Sequence, residues 1–191
     1  MPYADVVCAT THKVLRGPRG GMILCGAELA ERVDRAVFPF TQGGAQMHTI
    51  AAKAVAFGEA ATPAFRLYAH QVVANARALA ALLAAEGLVV TTGGTDTHLI
   101  TADPAPLGVD GRTARGRLAA AGMVLDCCAL PHGDARGLRL GTAAVTTQGM
   151  GEEEMASIAA LLAGVLRGET ESQKARDQVR ELTGRFQPYT G

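Results

Sequence analysis

Short apolar runs that stop at turn residues alternate along this chain with longer stretches in which apolar positions recur three and four residues apart. "DVVCATT" (5–11) and "GGMILC" (20–25) read as two strands separated by a glycine-rich turn. "AELAERVDRAVF" (27–38) carries Leu29, Val33, Ala36 and Val37 at helical spacing, and the small-residue run "QMHTIAAKAVAFGEA" (46–60) predicts a closely packed, buried helix. Thr62 followed by Pro63 is an N-cap and first-turn pair for a long helix with an apolar stripe through Phe65, Tyr68, Val72, Leu79 and Leu82, ending at Gly87.

After Gly87 the elements shorten. "LVVTTGG", "HLITAD", "MVLDCCAL" and "GLRLGTAAVT" read as strands, with a helix over "RTARGRLAAAG". Two helices follow, one with Met155, Ile158, Ala159, Leu162 and Leu166, the other with Ala175, Val179, Leu182 and Phe186. A boundary is expected near residue 87. Residues 1–86 hold too few strands for a complete sheet, whereas 87–191 form a small α/β unit able to cover its own core.

With 48% hydrophobic residues, the 191-residue chain has material for a sizeable core. Eighteen basic residues balance eighteen acidic ones without a Lys/Arg block, which argues against nucleic acid and anionic membrane as partners. No apolar run is long enough to span a bilayer, and "MPYADVV" lacks the features of a signal peptide, so a cytoplasmic location is expected. Cys8, Cys25, Cys127 and Cys128 suit neither a metal site nor a disulfide framework, and are expected to be reduced, buried, small apolar residues.

Only three of the basic residues are lysines, at 13, 53 and 174. Lys13 sits on the connection between the first two strands, in "TTHKVLRGPRGG". A solvated turn lysine is the ordinary reading. In a chain that otherwise uses arginine, a lysine here also suits amine chemistry: arginine cannot form a Schiff base, whereas a buried lysine beside cations such as Arg16 and Arg19 can.

"TTHKVLRGPRGG" resembles the cofactor-lysine segment of the serine hydroxymethyltransferases, pyridoxal-phosphate enzymes of the aspartate aminotransferase fold type. The resemblance continues in register through "AVFPFTQGGAQMHTIAAKAVAF", "GGTDTHLI" and "LRLGTAAVTTQG" and so covers almost the whole chain. It implies an α/β fold: the C-terminal part of the large cofactor domain (1–86) followed by the small C-terminal domain (87–191). It makes Lys13 the residue that carries pyridoxal phosphate as a Schiff base, with Thr10, Thr11 and His12 beside it and Arg19 nearby. Gln42, Gly43 and Gly44 would offer backbone N–H groups to the cofactor phosphate of a neighbouring subunit. Arg139 would grip the amino-acid carboxylate, a task suited to a guanidinium. For His48 and His98, a core or turn role and a site role stand level.

Members of this family are more than twice this length. The chain begins just before the lysine strand, so the residues that stack on the cofactor ring and pair with its nitrogen are expected from elsewhere. Two explanations follow: the C-terminal half of a split enzyme, completed by a separately encoded N-terminal half as a heterodimer or heterotetramer, or an inactive accessory or remnant subunit that binds a related enzyme. Retention of Lys13, Arg19 and Arg139 favours the first. Departures bear on substrate. Phe40, Ala45 and Val14 replace family residues, and "LDCCALPHGDARG" puts Cys128 at an asparagine position and shortens the loop that helps bind folate. Cleavage or formation of the Cα–Cβ bond of serine, α-methylserine or a related β-hydroxy amino acid is expected, with tetrahydrofolate use doubtful.

Overall fold

The computed structural model describes residues 3–131 and 133–188. The chain divides into two compact units, one up to Arg66 and one from Leu67 onward.

In the first unit, β1 (Val6–Thr10) and β2 (Gly21–Cys25) pair antiparallel, Val6 opposite Cys25 and Thr10 opposite Gly21. They form a sheet of two strands. Val6, Ile23 and Leu24 are all more than two-fifths exposed, so apolar positions of this pair face solvent. Helix α1 (Ala27–Arg35) runs into one wide turn, Ala36–Thr41, broken at Phe38. The following Pro39 explains the break, because a residue before proline is pushed out of the helical region. Helix α2 (Met47–Ala60) has the expected extent but not the expected burial: only Ala56 is buried, while Met47, Ile50, Val55 and Phe57 are exposed. Small residues permit close packing against a neighbour, yet Ala56 is the one buried residue of this helix.

Helix α3 (Pro63–Ala85) starts as its sequence signals: the Thr62 hydroxyl accepts the Phe65 N–H at 3.2 Å. It ends two residues before Gly87, which has a φ of +93°. Its deeply buried stripe is Val72, Asn75, Ala76, Leu79, Ala80 and Leu83, while Phe65 and Tyr68 are only half-buried.

The second unit is built on an antiparallel sheet in the order β3 (Val89–Val90), β4 (Leu99–Asp103), β6 (Arg136–Gly141), β5 (Asp126–Ala129). Its core joins Leu79 and Leu83 of α3, Ile100 and Ala102 of β4, Leu138 of β6, Leu118 of α4 (Gly111–Ala120) and Met155, Leu162 and Leu166 of α6 (Glu152–Arg167). Each of the leucine, isoleucine and methionine side chains contributes about 1.5–3 kcal/mol relative to exposure. Helix α7 (Ser172–Gly184) adds buried Ala175 and half-buried Leu182. Expected strand "GLRLGTAAVT" is half strand: β6 stops at Gly141, and Ala143–Thr147 forms the short helix α5. The Thr142 hydroxyl donates to the Val72 carbonyl at 2.7 Å, and the Thr146 hydroxyl donates to the Thr142 carbonyl at 2.8 Å. Asn75, fully buried, closes this network by donating from Nδ2 to Thr146 Oγ1 and the Met150 carbonyl, both at 2.9 Å. These bonds turn the chain at the end of β6 and override the strand preference of the β-branched run.

Among the described residues no helix is long and apolar enough to cross a membrane. All four cysteines are free, but the expectation of burial is corrected: Cys8 is exposed and the other three are partly exposed, because β1, β2 and β5 lie in sheets with open faces or edges.

Candidate active-site segments

The turn from Thr11 to Gly20 is held from inside. Thr11 is fully buried; its N–H donates to the Gly20 carbonyl at 3.0 Å and its hydroxyl to the Pro18 carbonyl at 2.7 Å. Gly17 donates back to the Thr11 carbonyl at 2.8 Å, an approach so close that a Cβ on Gly17 would stand 2.7 Å from that oxygen. The Arg16 N–H closes a smaller turn onto the Lys13 carbonyl at 2.9 Å, with Arg16 at φ +56° and its guanidinium 5.5 Å from the centre of the Phe65 ring. His12 Nδ1 lies 3.3 Å from the Gly20 N–H, in position to accept it.

Lys13 stands at the outer corner of this frame. Its side chain is exposed, and among the described residues no hydrogen bond or ion pair engages its amine. Thr10 lies at the end of β1 and Arg19 on the returning limb, both exposed. Thus Thr10, His12, Lys13 and Arg19 share one turn. The other lysine of this unit is committed: Lys53 Nζ donates to the Gly21 carbonyl at 2.9 Å and ties α2 to the start of β2.

Gly43 and Gly44 belong to the exposed segment before α2. They line an open concavity of about 570 Å³ together with Phe38, Gln42, Ile50 and Lys53. Backbone hydrogen bonds leave both glycine N–H groups unclaimed among the described residues, and the space where a Cβ would sit is empty at each. His48 is exposed on the first turn of α2.

Arg139 lies in the second unit, on the central strand β6, with Thr101 of β4 and Asp126 of β5 as its lateral partners. Its Nη2 meets Asp126 Oδ2 at 2.5 Å, both side chains being about half exposed. Beside it opens an apolar cavity of about 230 Å³ lined by Leu79, Met123, Leu140, Thr142 and Leu182 among others. Cys128 pairs with Gly137 on the free side of the sheet, and the connection to β6 is tight, Leu130 donating to the Ala135 carbonyl at 3.0 Å. His98 precedes β4 and accepts the Thr142 N–H on its carbonyl at 3.3 Å. The sequence assigns no role to three residues that shape these segments: Lys53, Asp126 and Asn75. Register alone would have found Asp126; nothing in the local pattern marks the other two.

An exposed, unengaged amine suits a cofactor that condenses through an aldehyde, and a loop with unclaimed N–H groups suits a phosphate. The residues present therefore fit pyridoxal phosphate as far as this chain's own share of such a site extends.

The comparisons agree on one family. The sequence profile described as serine hydroxymethyltransferase matches residues 1–162. A curated serine hydroxymethyltransferase of Coprothermobacter proteolyticus is 46% identical over 198 aligned positions, covering all of this chain and 48% of that relative. The chain thus spans about half the length of the relative it matches. With a profile running through the lysine turn, the glycine loop and the strand of Arg139, the chain belongs to the serine hydroxymethyltransferase family.

Proposed function

We propose that this chain is the C-terminal half of a split serine hydroxymethyltransferase-like enzyme, acting in the cytoplasm and active only with a separately encoded N-terminal half, as a heterodimer or heterotetramer. The observation that carries the reading is the open Lys13 amine on a rigid turn of a two-stranded sheet, in a chain about half the length of its relative. Exposed apolar side chains support it: Phe40 is 83% and Met47 69% exposed, a cost that a covering partner would remove.

In this reading residues 1–86 are the chain's share of the large cofactor domain and 87–191 the small domain. Lys13 provides the amine that holds pyridoxal phosphate. Gly43 and Gly44 present N–H groups to a phosphate, and Thr10, His12 and Arg19 shape the pocket around the lysine. When bound, the cofactor supplies an electron sink for charge developing at Cα. Arg139 orients the substrate through its carboxylate; the Cα–Cβ bond breaks with its electron pair left on Cα, the β-carbon departs as an aldehyde, and the proton lost by the β-hydroxyl is matched by one gained at Cα. Serine, α-methylserine and related β-hydroxy amino acids all satisfy that chemistry. Cys128 is a weak hydrogen-bonding group and the Leu130–Ala135 connection is short, so little of a pterin slot comes from this chain.

The test is co-expression with a candidate N-terminal half, size exclusion, then an aldehyde-release assay with serine, α-methylserine and threonine, each with and without tetrahydrofolate. Activity in the complex alone, with little response to folate, is the expected result. A complex that forms but neither binds the cofactor nor releases aldehyde would favour the accessory-subunit reading. A strong folate dependence with serine would restore the ordinary hydroxymethyltransferase reaction.

A further inference from the structure

We infer that Asp126 is an internal competitor for the guanidinium of Arg139 and sets how tightly that arginine accepts an external carboxylate; this rests on the reading of Arg139 as the carboxylate-binding residue. The two residues are directly opposed on neighbouring antiparallel strands, so their side chains leave the same face of the sheet as a cross-strand pair. Asp126 divides its two oxygens. Oδ1 accepts the N–H of Cys127 at 2.9 Å, which fixes the carboxylate plane, and Oδ2 faces Arg139 Nη2 at 2.5 Å.

A guanidinium recognises a carboxylate best through two parallel N–H donors. With one N–H of Nη2 committed to Asp126, one of the bidentate edges of the guanidinium is closed to a ligand unless Oδ2 is displaced. Thr101, on the other side of Arg139, carries no charge and offers no compensating competition. Asp126 also places a negative charge beside the incoming anion, and the half-exposed setting keeps the penalty modest. Net affinity is therefore lower than an unpaired arginine would give. In return, the guanidinium is held in one orientation before any ligand arrives.

The experiment measures equilibrium binding of glycine and of acetate to the complex of this chain with its N-terminal half by isothermal titration calorimetry. Four proteins are compared: wild type, Asp126→Asn, Arg139→Ala and the double variant. Asp126→Asn can keep the bond from Cys127 while replacing the negative oxygen with an amide group. It should tighten both probes about two- to fivefold, the range of a half-exposed ion pair, with the gain shrinking at high salt. In the Arg139→Ala background the same change should have no such effect. Unchanged or weakened binding in Asp126→Asn, with Arg139→Ala still lowering affinity, overturns the inference and leaves the role of Arg139 intact. Binding insensitive to Arg139→Ala overturns the role of Arg139 itself. A purely structural role for Asp126 would weaken binding, so the sign of the change separates the two.

Discussion

Lys53 Nζ reaches the carbonyl of Gly21 across thirty-two residues of sequence, and the neighbouring Gly20 is what lets it through. A Cβ on Gly20 would stand 2.8 Å from Lys53 Cε and 3.0 Å from Nζ. The glycine-rich return of the lysine turn thus leaves room for a second lysine that anchors it. Gly20→Ala and Lys53→Met are each expected to destabilise the complex by about 0.5–1.5 kcal/mol, the net worth of one hydrogen bond. The double variant should cost scarcely more than either, since both remove the same contact. Denaturant melts of the four proteins decide it; additive losses would mean that Lys53 and Gly20 act separately.

Asp110 caps α4, its Oδ1 accepting the N–H groups of Arg112 and Thr113 and its Oδ2 the Thr113 hydroxyl. The bond from the Thr113 hydroxyl, followed by the backbone bonds, holds its carboxyl below the ordinary value of 3.8. A depressed folded value stabilises above the unfolded value and is lost as the pH falls through the folded one. Asp110→Asn should therefore lower the melting temperature near neutrality, with the difference closing below pH 3.8. A gap that persists unchanged into that range would contradict the charged cap.

Arg139→Ala in the complex should weaken amino-acid binding by about 1.5–3 kcal/mol, the range for hydrogen bonds to charged groups, and leave cofactor binding intact. Titration with glycine checks the first part and absorbance of the bound cofactor the second. Unchanged glycine affinity would return Arg139 to a structural role as the partner of Asp126.

Much of this arrangement is legible in the sequence, and the exceptions have physical causes. The Thr62 cap, the extent of α3 and the turn carrying Lys13 follow from local signals, because caps and tight turns are decided by neighbours in sequence. The exposure of α2 does not follow: a small-residue helix announces that something packs against it, without saying whether that something is in the same chain. "GLRLGTAAVT" misleads for a different reason. Its β-branched half is bent into α5 by a bond to the Val72 carbonyl and bonds from Asn75, seventy or more residues away, and Asn75 itself hides in an apolar stripe. The Asp126–Arg139 pair depends on the register of two neighbouring strands, which no motif in the sequence marks.

Peptide mapping of the cofactor adduct tests the central claim most directly. The complex of this chain with its N-terminal half would be incubated with pyridoxal phosphate, reduced with borohydride and digested. The account predicts a single labelled lysine, Lys13, appearing only when the partner is present, while Lys53 stays unlabelled because its amine is committed to Gly21. A label on Lys53 or Lys174, or none with the partner bound, would contradict it.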